Sequence, residues 1–259
     1  MKRFGLLIIM LISQNLHGSG FNDSVLWIYD IQSSTNAVST GPLSICEEKF
    51  QTRALYTKPY QISQLRWNDF YAVKGFGRWG LSGRFNSYGM DGYYNRYLYS
   101  IGIAVSPIDS LAVSLEGNYY REIFIDINNF QRWELDTKIA YRKSRFSVAA
   151  GLSGITLAED YEYKSARTLR PWGACSYNFE NGITLWSSVR RFENNRTRWF
   201  FGQNLRLTSA MDLSVGLMNR PDLIYGRIAI KHGSIIVDLA YYSLNRLNDI
   251  ILVGFGYGG

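Results

Sequence analysis

From residue 50 onward, apolar and polar residues alternate with a period of two, segment after segment. Tyr97, Tyr99, Ile101, Ile103 and Val105 share one parity, against Arg96, Leu98, Ser100, Gly102 and Ala104. Leu111, Val113, Leu115 and Tyr119 then stand against Ala112, Ser114, Glu116 and Asn118. Trp199, Phe201, Leu205 and Leu207 oppose Arg198, Gly202, Asn204 and Arg206, and Ile235, Val237, Leu239 and Tyr241 oppose Asp238 and Ala240. Successive side chains of a strand point to opposite faces, so a period of two means strands with one apolar face.

The connections add a second regularity. Tight turns are predicted at Lys74-Gly75, residues 107–110, Lys143-Ser144, Asn181-Gly182, Ser209-Ala210 and His232-Gly233. Asn-Gly is a strong hairpin signal, because a type I′ turn needs positive φ at both central residues. Longer or more polar connections fall near residues 88–92, 126–129, 158–166, 193–196, 219–222 and 245–248. Short and long therefore alternate, as they do in transmembrane barrels with short periplasmic turns and longer outer loops. A strand at residues 50–57 and a last one at 250–257 complete an even set of about 14 with both termini periplasmic. The predicted fold is all-β: a transmembrane antiparallel up-and-down β-barrel over residues 50–259.

A soluble sandwich or closed soluble barrel also alternates. Two features argue against it. Many segments here run beyond the ~5–6 residues usual for soluble strands. Their apolar faces are rich in Tyr and Trp, as expected of girdles at membrane interfaces; the chain holds 19 Tyr, 14 Phe and 7 Trp. A mean hydropathy of −0.14 does not count against a barrel, since alternating strands average out. After the N-terminal segment, no stretch approaches the ~20 apolar residues of a spanning helix.

Residues 1–20 have the order of a signal peptide. Lys2 and Arg3 precede the apolar run of residues 4–12, and Gly18, Ser19 and Gly20 supply small residues for cleavage. A buried N-terminal helix is the alternative. Residues 21–49 lack a clear period and are read as an arm, periplasmic or inserted into the lumen. Cys46 and Cys175 are expected to be unpaired thiols, although an oxidising compartment permits a disulfide.

No catalytic machinery is recognised. Gly75, Gly77 and Gly80 match G-x-G-x-x-G, but a strand-like segment follows where a dinucleotide site requires a helix. His17 falls in the signal, leaving His232 in a predicted turn, poorly placed as a general base. No His/Cys cluster has metal-ligand spacing, and neither a cofactor nor a metal is expected. Glu159, Asp160 and Glu162 form an acidic group read as a solvated loop.

The formal charge of +7 leaves nucleic acid, anionic lipid and acidic ligands open. The placement of the charges discriminates better. Arg78, Arg84, Arg96, Lys138, Arg142, Arg190, Arg198 and Arg206 lie on the polar parity, as do Glu116, Glu134, Asp136, Asp212 and Asp238. They are predicted to face the lumen, because a charge at the lipid midplane costs ~2–4 kcal/mol. Mutual pairing is the favoured arrangement; the alternative is a cationic conduit for anions or fatty-acid carboxylates. The same parity speaks against nucleic acid, whose sheet-type binders carry aromatics and basic residues together on one exposed face.

Several stretches resemble FadL-like outer-membrane proteins, particularly the PorV/PorQ group associated with type IX secretion. They are Trp79-Gly80-Leu81-Ser82-Gly83-Arg84-Phe85, Tyr88-Gly89 with Gly92-Tyr93-Tyr94, Tyr99-Ser100-Ile101-Gly102-Ile103-Ala104 with Pro107, and Leu111-Ala112-Val113-Ser114-Leu115. Leu213 to Leu217 followed by Tyr225-Gly226 fits similarly. The family's Asn-Pro-Ala-type signature is missing, with Gly41-Pro42 nearby, and Phe255-Gly256-Tyr257-Gly258-Gly259 differs from the terminal aromatic of many barrels. The resemblance implies an integral outer-membrane barrel of 14 strands with an N-terminal lumen segment. Its functional implications are two: an accessory of protein secretion, partnered by secretion machinery, or a passive conduit for hydrophobic or anionic small molecules. The sequence reading prefers the first.

Overall fold

The computed structural model describes residues 42–47, 50–58, 64–90, 92–124, 129–160, 169–191, 197–219, 223–244 and 247–258. The expected signal at 1–20 and most of the arm at 21–49 lie outside these residues, as does Glu162. A short helix, α1 (Pro42–Glu47), is followed by β1 (Gln51–Thr57), β2 (Leu65–Gly75), β3 (Trp79–Met90), β4 (Tyr94–Ile108), β5 (Leu111–Phe124), β6 (Phe130–Lys143) and β7 (Phe146–Asp160). The second half comprises β8 (Arg170–Asn178), β9 (Ile183–Arg191), β10 (Thr197–Thr208), β11 (Met211–Met218), β12 (Leu223–His232), β13 (Ile235–Leu244) and β14 (Leu247–Gly258).

Each strand pairs antiparallel with its sequence neighbours, and β1 pairs with β14 from Gln51↔Gly258 to Thr57↔Leu252, closing the barrel. The predicted fold and strand number are those observed. Burial alternates along each strand, and the alternation separates an inner from an outer face. Ile101, Leu115, Leu152, Phe201, Ile224, Ile251 and Phe255 lie exposed on the outside. A continuous apolar belt of this kind is stable only against lipid hydrocarbon.

Turns occur where turn chemistry predicted them. Gly182 adopts φ 78° beside Asn181, and Ser144 adopts φ 52° in the β6–β7 turn. The first turn is displaced: Lys74 and Gly75 still belong to β2, and Phe76–Arg78 turn the chain with Gly77 at φ 86°. G-x-G-x-x-G is thus a hairpin. Two connections expected to be long are short, because residues 91–93 alone separate β3 from β4 and residues 245–246 separate β13 from β14. The polar residues that suggested a loop at 88–92 continue the ladder instead. Likewise Glu159 and Asp160 end β7 rather than forming a loop. Outward polar residues cost nothing once a strand has left the membrane, so polarity there marks water and not a chain break.

α1 lies inside the barrel, against β2 to β6. Pro42 occupies the first helical position, where its missing N–H is not needed. Leu43 packs with Ala112 and Ala140, while Ile45 and Cys46 pack with Tyr71, Val73, Ala104 and Ile236. A Cβ on Gly80 would stand 2.2 Å from the Ile45 carbonyl oxygen, so this glycine lets the helix lie against the wall. Cys46 Sγ is 3.8 Å from the Arg78 carbonyl oxygen, and Glu47 takes both terminal nitrogens of Arg142 at 3.1 Å. Burial, and behind it the charge of Glu47, push the Cys46 thiol above its ordinary value. Both cysteines are free: Cys46 is buried inside the barrel, and Cys175 is exposed on its outer face.

Candidate functional site

Among the described residues, the inner face of the barrel carries a dense set of charged and polar side chains. Arg84, Glu116, Glu134, Lys138, Arg198 and Asp238 have side chains that are buried or nearly so. Lys138 Nζ donates to Glu116 Oε2 at 2.6 Å, and Arg84 and Arg190 also act on the Glu116 charge. Arg190 and Arg198 stand directly opposite each other on β9 and β10. Arg96 approaches Glu122 at 3.6 Å, and its guanidinium lies 5.1 Å over the Tyr120 ring. Asp136 accepts a bond from the Gly154 N–H at 2.9 Å.

Three predicted residues lie at the lower end of the barrel, where Arg142 and Arg206 keep the inner parity of their strands and Arg78 does not belong to a strand. Arg78 sits in the exposed β2–β3 turn, because β2 runs further than expected and shifts the hairpin. Arg142 is at the lower end of β6, half-exposed and paired with Glu47. Arg206 is 59% exposed at the lower mouth, 3.7 Å from Asp212.

Several charges of the network were absent from the sequence reading. Asp69 receives Arg84 through Nε at 2.7 Å and Nη2 at 3.3 Å. Asp238 receives Arg227 Nε at 2.9 Å and is also bonded by Arg53. Glu134 receives Arg170 at 2.5 Å and Arg132 at 2.9 Å. Two of these bridges pass over a neighbouring strand that has been emptied for them. Arg53 on β1 reaches Asp238 on β13 across the inner face of β14, which carries Gly254 and Gly256. Arg170 on β8 reaches Glu134 on β6 across Gly154 of β7, whose φ of 79° marks an irregular stretch in that strand. A Cβ on Gly154 would lie 2.7 Å from the Arg170 guanidinium.

Above the Arg53–Asp238–Arg227 group the inner face turns apolar. Leu55, Trp67, Trp186, Phe200, Leu223, Tyr225, Tyr242 and Ile250 belong to one buried cluster. Trp186, Tyr225 and Tyr242 form a row with centroids 6.3 and 5.9 Å apart. Two of these rings lie flat on glycines: a Cβ on Gly202 would be 2.4 Å from the Trp186 ring, and one on Gly216 would be 2.4 Å from the Tyr225 ring. The row therefore lines the wall instead of projecting across it. Trp67 Nε1, Trp186 Nε1 and the Tyr242 hydroxyl are buried without a hydrogen-bond partner among the described residues. A mostly apolar molecule with one hydrogen-bond acceptor complements that set, since unpaired buried donors carry a standing desolvation cost.

The sequence reading assigned the aromatics to the lipid face, and so missed this cluster. The signal was parity: Trp67 shares a face with Asp69, Tyr225 with Arg227, and Tyr242 with Asp238. Aromatic and basic residues thus do share one face, but it is enclosed by the barrel rather than open to a polymer.

No protein-family model and no curated protein sequence matches the chain. Among solved structures, the Ralstonia pickettii toluene transporter TbuX superposes with a TM-score of 0.62 at 9% identity, covering 85% of this chain and 92% of the transporter. The CymD monoaromatic hydrocarbon channel gives 0.61 at 8% identity, over 88% and 93%. The Acinetobacter baumannii outer membrane protein Omp33 gives 0.54 at 10% identity, over 82% and 98%. At these identities the likeness is one of fold: that of an integral outer-membrane barrel.

Proposed function

We propose that the protein is an outer-membrane conduit for small, mostly apolar molecules. The observation that carries this reading is the inner aromatic row on its glycine bed, with donors left unsatisfied beside it. The fold it shares with a toluene transporter and a monoaromatic hydrocarbon channel supports the same reading. Aromatic rings accept flat apolar solutes by stacking and area burial. The charged belt below is locked in pairs, so it does not compete for such a solute. The secretion-accessory reading favoured by the sequence resemblance has no comparable observation among the described residues, and the conduit takes its place.

The test is uptake of a radiolabelled monoaromatic hydrocarbon by cells whose outer membrane carries the protein, beside a pentose of comparable size. A several-fold rise for the hydrocarbon over empty cells, lost in Trp186→Ala at unchanged barrel folding, is the expected result. Equal uptake with and without the protein rejects the conduit.

A further inference from the structure

The inner ring cluster holds a surplus of hydrogen-bond donors. Trp67 Nε1, Trp186 Nε1 and the Tyr242 hydroxyl each lack a partner among the described residues. Their side chains are 2%, 3% and 0% exposed, so water does not stand in for the missing acceptor. Leu55, Phe200, Leu223 and Ile250, which share the cluster, bring no lone pairs in their side chains. Folded interiors seldom keep a buried donor unpaired, because its desolvation is then uncompensated. Here three fall in one cluster, and two of them are indole N–H groups, which can only donate.

The geometry sets what could meet them. Tyr225 on β12 stands between two donor-bearing rings, with Trp186 at 6.3 Å on one side and Tyr242 at 5.9 Å on the other. A solute ring laid over Tyr225 gains stacking, and a substituent on its edge comes within reach of a donor on either side. Met218 belongs to the cluster and Met90 packs against it; unbranched thioethers yield at low cost, so the cluster can part for a solute. The substituent must bring lone pairs and no charge. A carboxylate would carry its charge into apolar walls, and Arg53 and Arg227 below already share Asp238. A hydroxyl would add one more donor to the surplus. A carbonyl brings acceptor lone pairs alone.

We propose that the preferred solute of this lumen is a neutral aryl carbonyl compound: an aromatic ketone, aldehyde or ester. Its ring stacks on Tyr225, and its carbonyl oxygen accepts from Trp186 Nε1 or the Tyr242 hydroxyl. The inference rests on the conduit reading and narrows it, since a plain hydrocarbon fills the same space but leaves the donors unpaired.

Acetophenone and α-methylstyrene separate the two, because they differ only in a carbonyl oxygen against a methylene group. Equilibrium dialysis of each labelled compound against the full barrel in detergent, less the uptake of empty micelles, should show the ketone bound about 2- to 10-fold more tightly. That ratio should fall toward one in Trp186→Phe/Tyr242→Phe. On the wild-type protein the carbonyl stretching band of bound acetophenone should move to lower frequency, which reports the hydrogen bond without any variant. Equal binding of the two compounds, an unshifted band, or an undiminished ratio in the double variant overturns the carbonyl preference and leaves the conduit standing. Binding of neither compound overturns both.

Discussion

Strands β3 to β7 run for 12, 15, 14, 14 and 15 residues, whereas β8, β9, β11, β12 and β13 run for 9, 9, 8, 10 and 10. The tall half carries Arg96, Glu122 and Arg132 on its inner face near the top, where water reaches them in part, with Glu134 buried beneath them. The inner face of the low half carries the cluster of rings and aliphatic side chains, and beside it the buried group around Asp238. The contrast shows that the inside of such a barrel need not be uniformly polar. Where the wall stands in water, charges are affordable in pairs; where it is short, volume must come from apolar groups laid on glycine.

That contrast can be broken first at Asp238. Asp238→Ala leaves Arg53 and Arg227 buried together without their shared carboxylate, and should destabilise the barrel by about 3–5 kcal/mol. Urea unfolding followed by gel mobility reads this directly, and a loss below about 1 kcal/mol would mean that solvent reaches the group. Next comes Gly216→Ala, whose methyl meets both the Tyr225 ring and the Phe201 carbonyl oxygen. It should cost about 1–3 kcal/mol and push the ring into the lumen, slowing hydrocarbon uptake. On the tall side Glu47→Gln removes an exposed pair with Arg142 and should change stability by no more than about 1 kcal/mol.

Thiol chemistry gives the smallest effect. Because the Cys46 thiol titrates above its ordinary value, its thiolate is scarce at neutral pH and grows as pH rises through the shifted value. In a Cys175→Ser background, maleimide labelling of Cys46 should be slow at pH 7 and accelerate later than a free thiol does. Labelling as fast as a free thiol at pH 7 would show that α1 leaves the wall.

The barrel itself was legible because period two and hairpin chemistry are local properties, written within a few residues. The strand count followed from connection parity. What local pattern could not supply was length at the outer rim, where polar residues in water look alike in a strand and in a loop; β7 absorbed Glu159 and Asp160 for that reason. The structure buries Glu116, Glu134 and Asp238 on the inner face, but the partners they meet there leave no local signal, since Arg53 and Asp238 are 185 positions apart. The aromatic cluster was missed because ring and charge on one face were treated as alternatives. α1 gave no periodic signal at six residues, and glycines on the facing wall do as much to seat it as its own sequence.

The bare inner face of β14 also bears on how the ring is completed. Gly254 and Gly256 give Arg53 nothing to hold on the strand it joins, so its anchor lies one strand further on, at Asp238. If β1 arrived one residue out of step, Arg53 would face lipid. Two residues out, the guanidinium would be carried about 7 Å along the seam from its carboxylate. The β1–β14 register is therefore checked by a residue outside that pairing: closure in the wrong register strands a charge, and closure in the right one neutralises it.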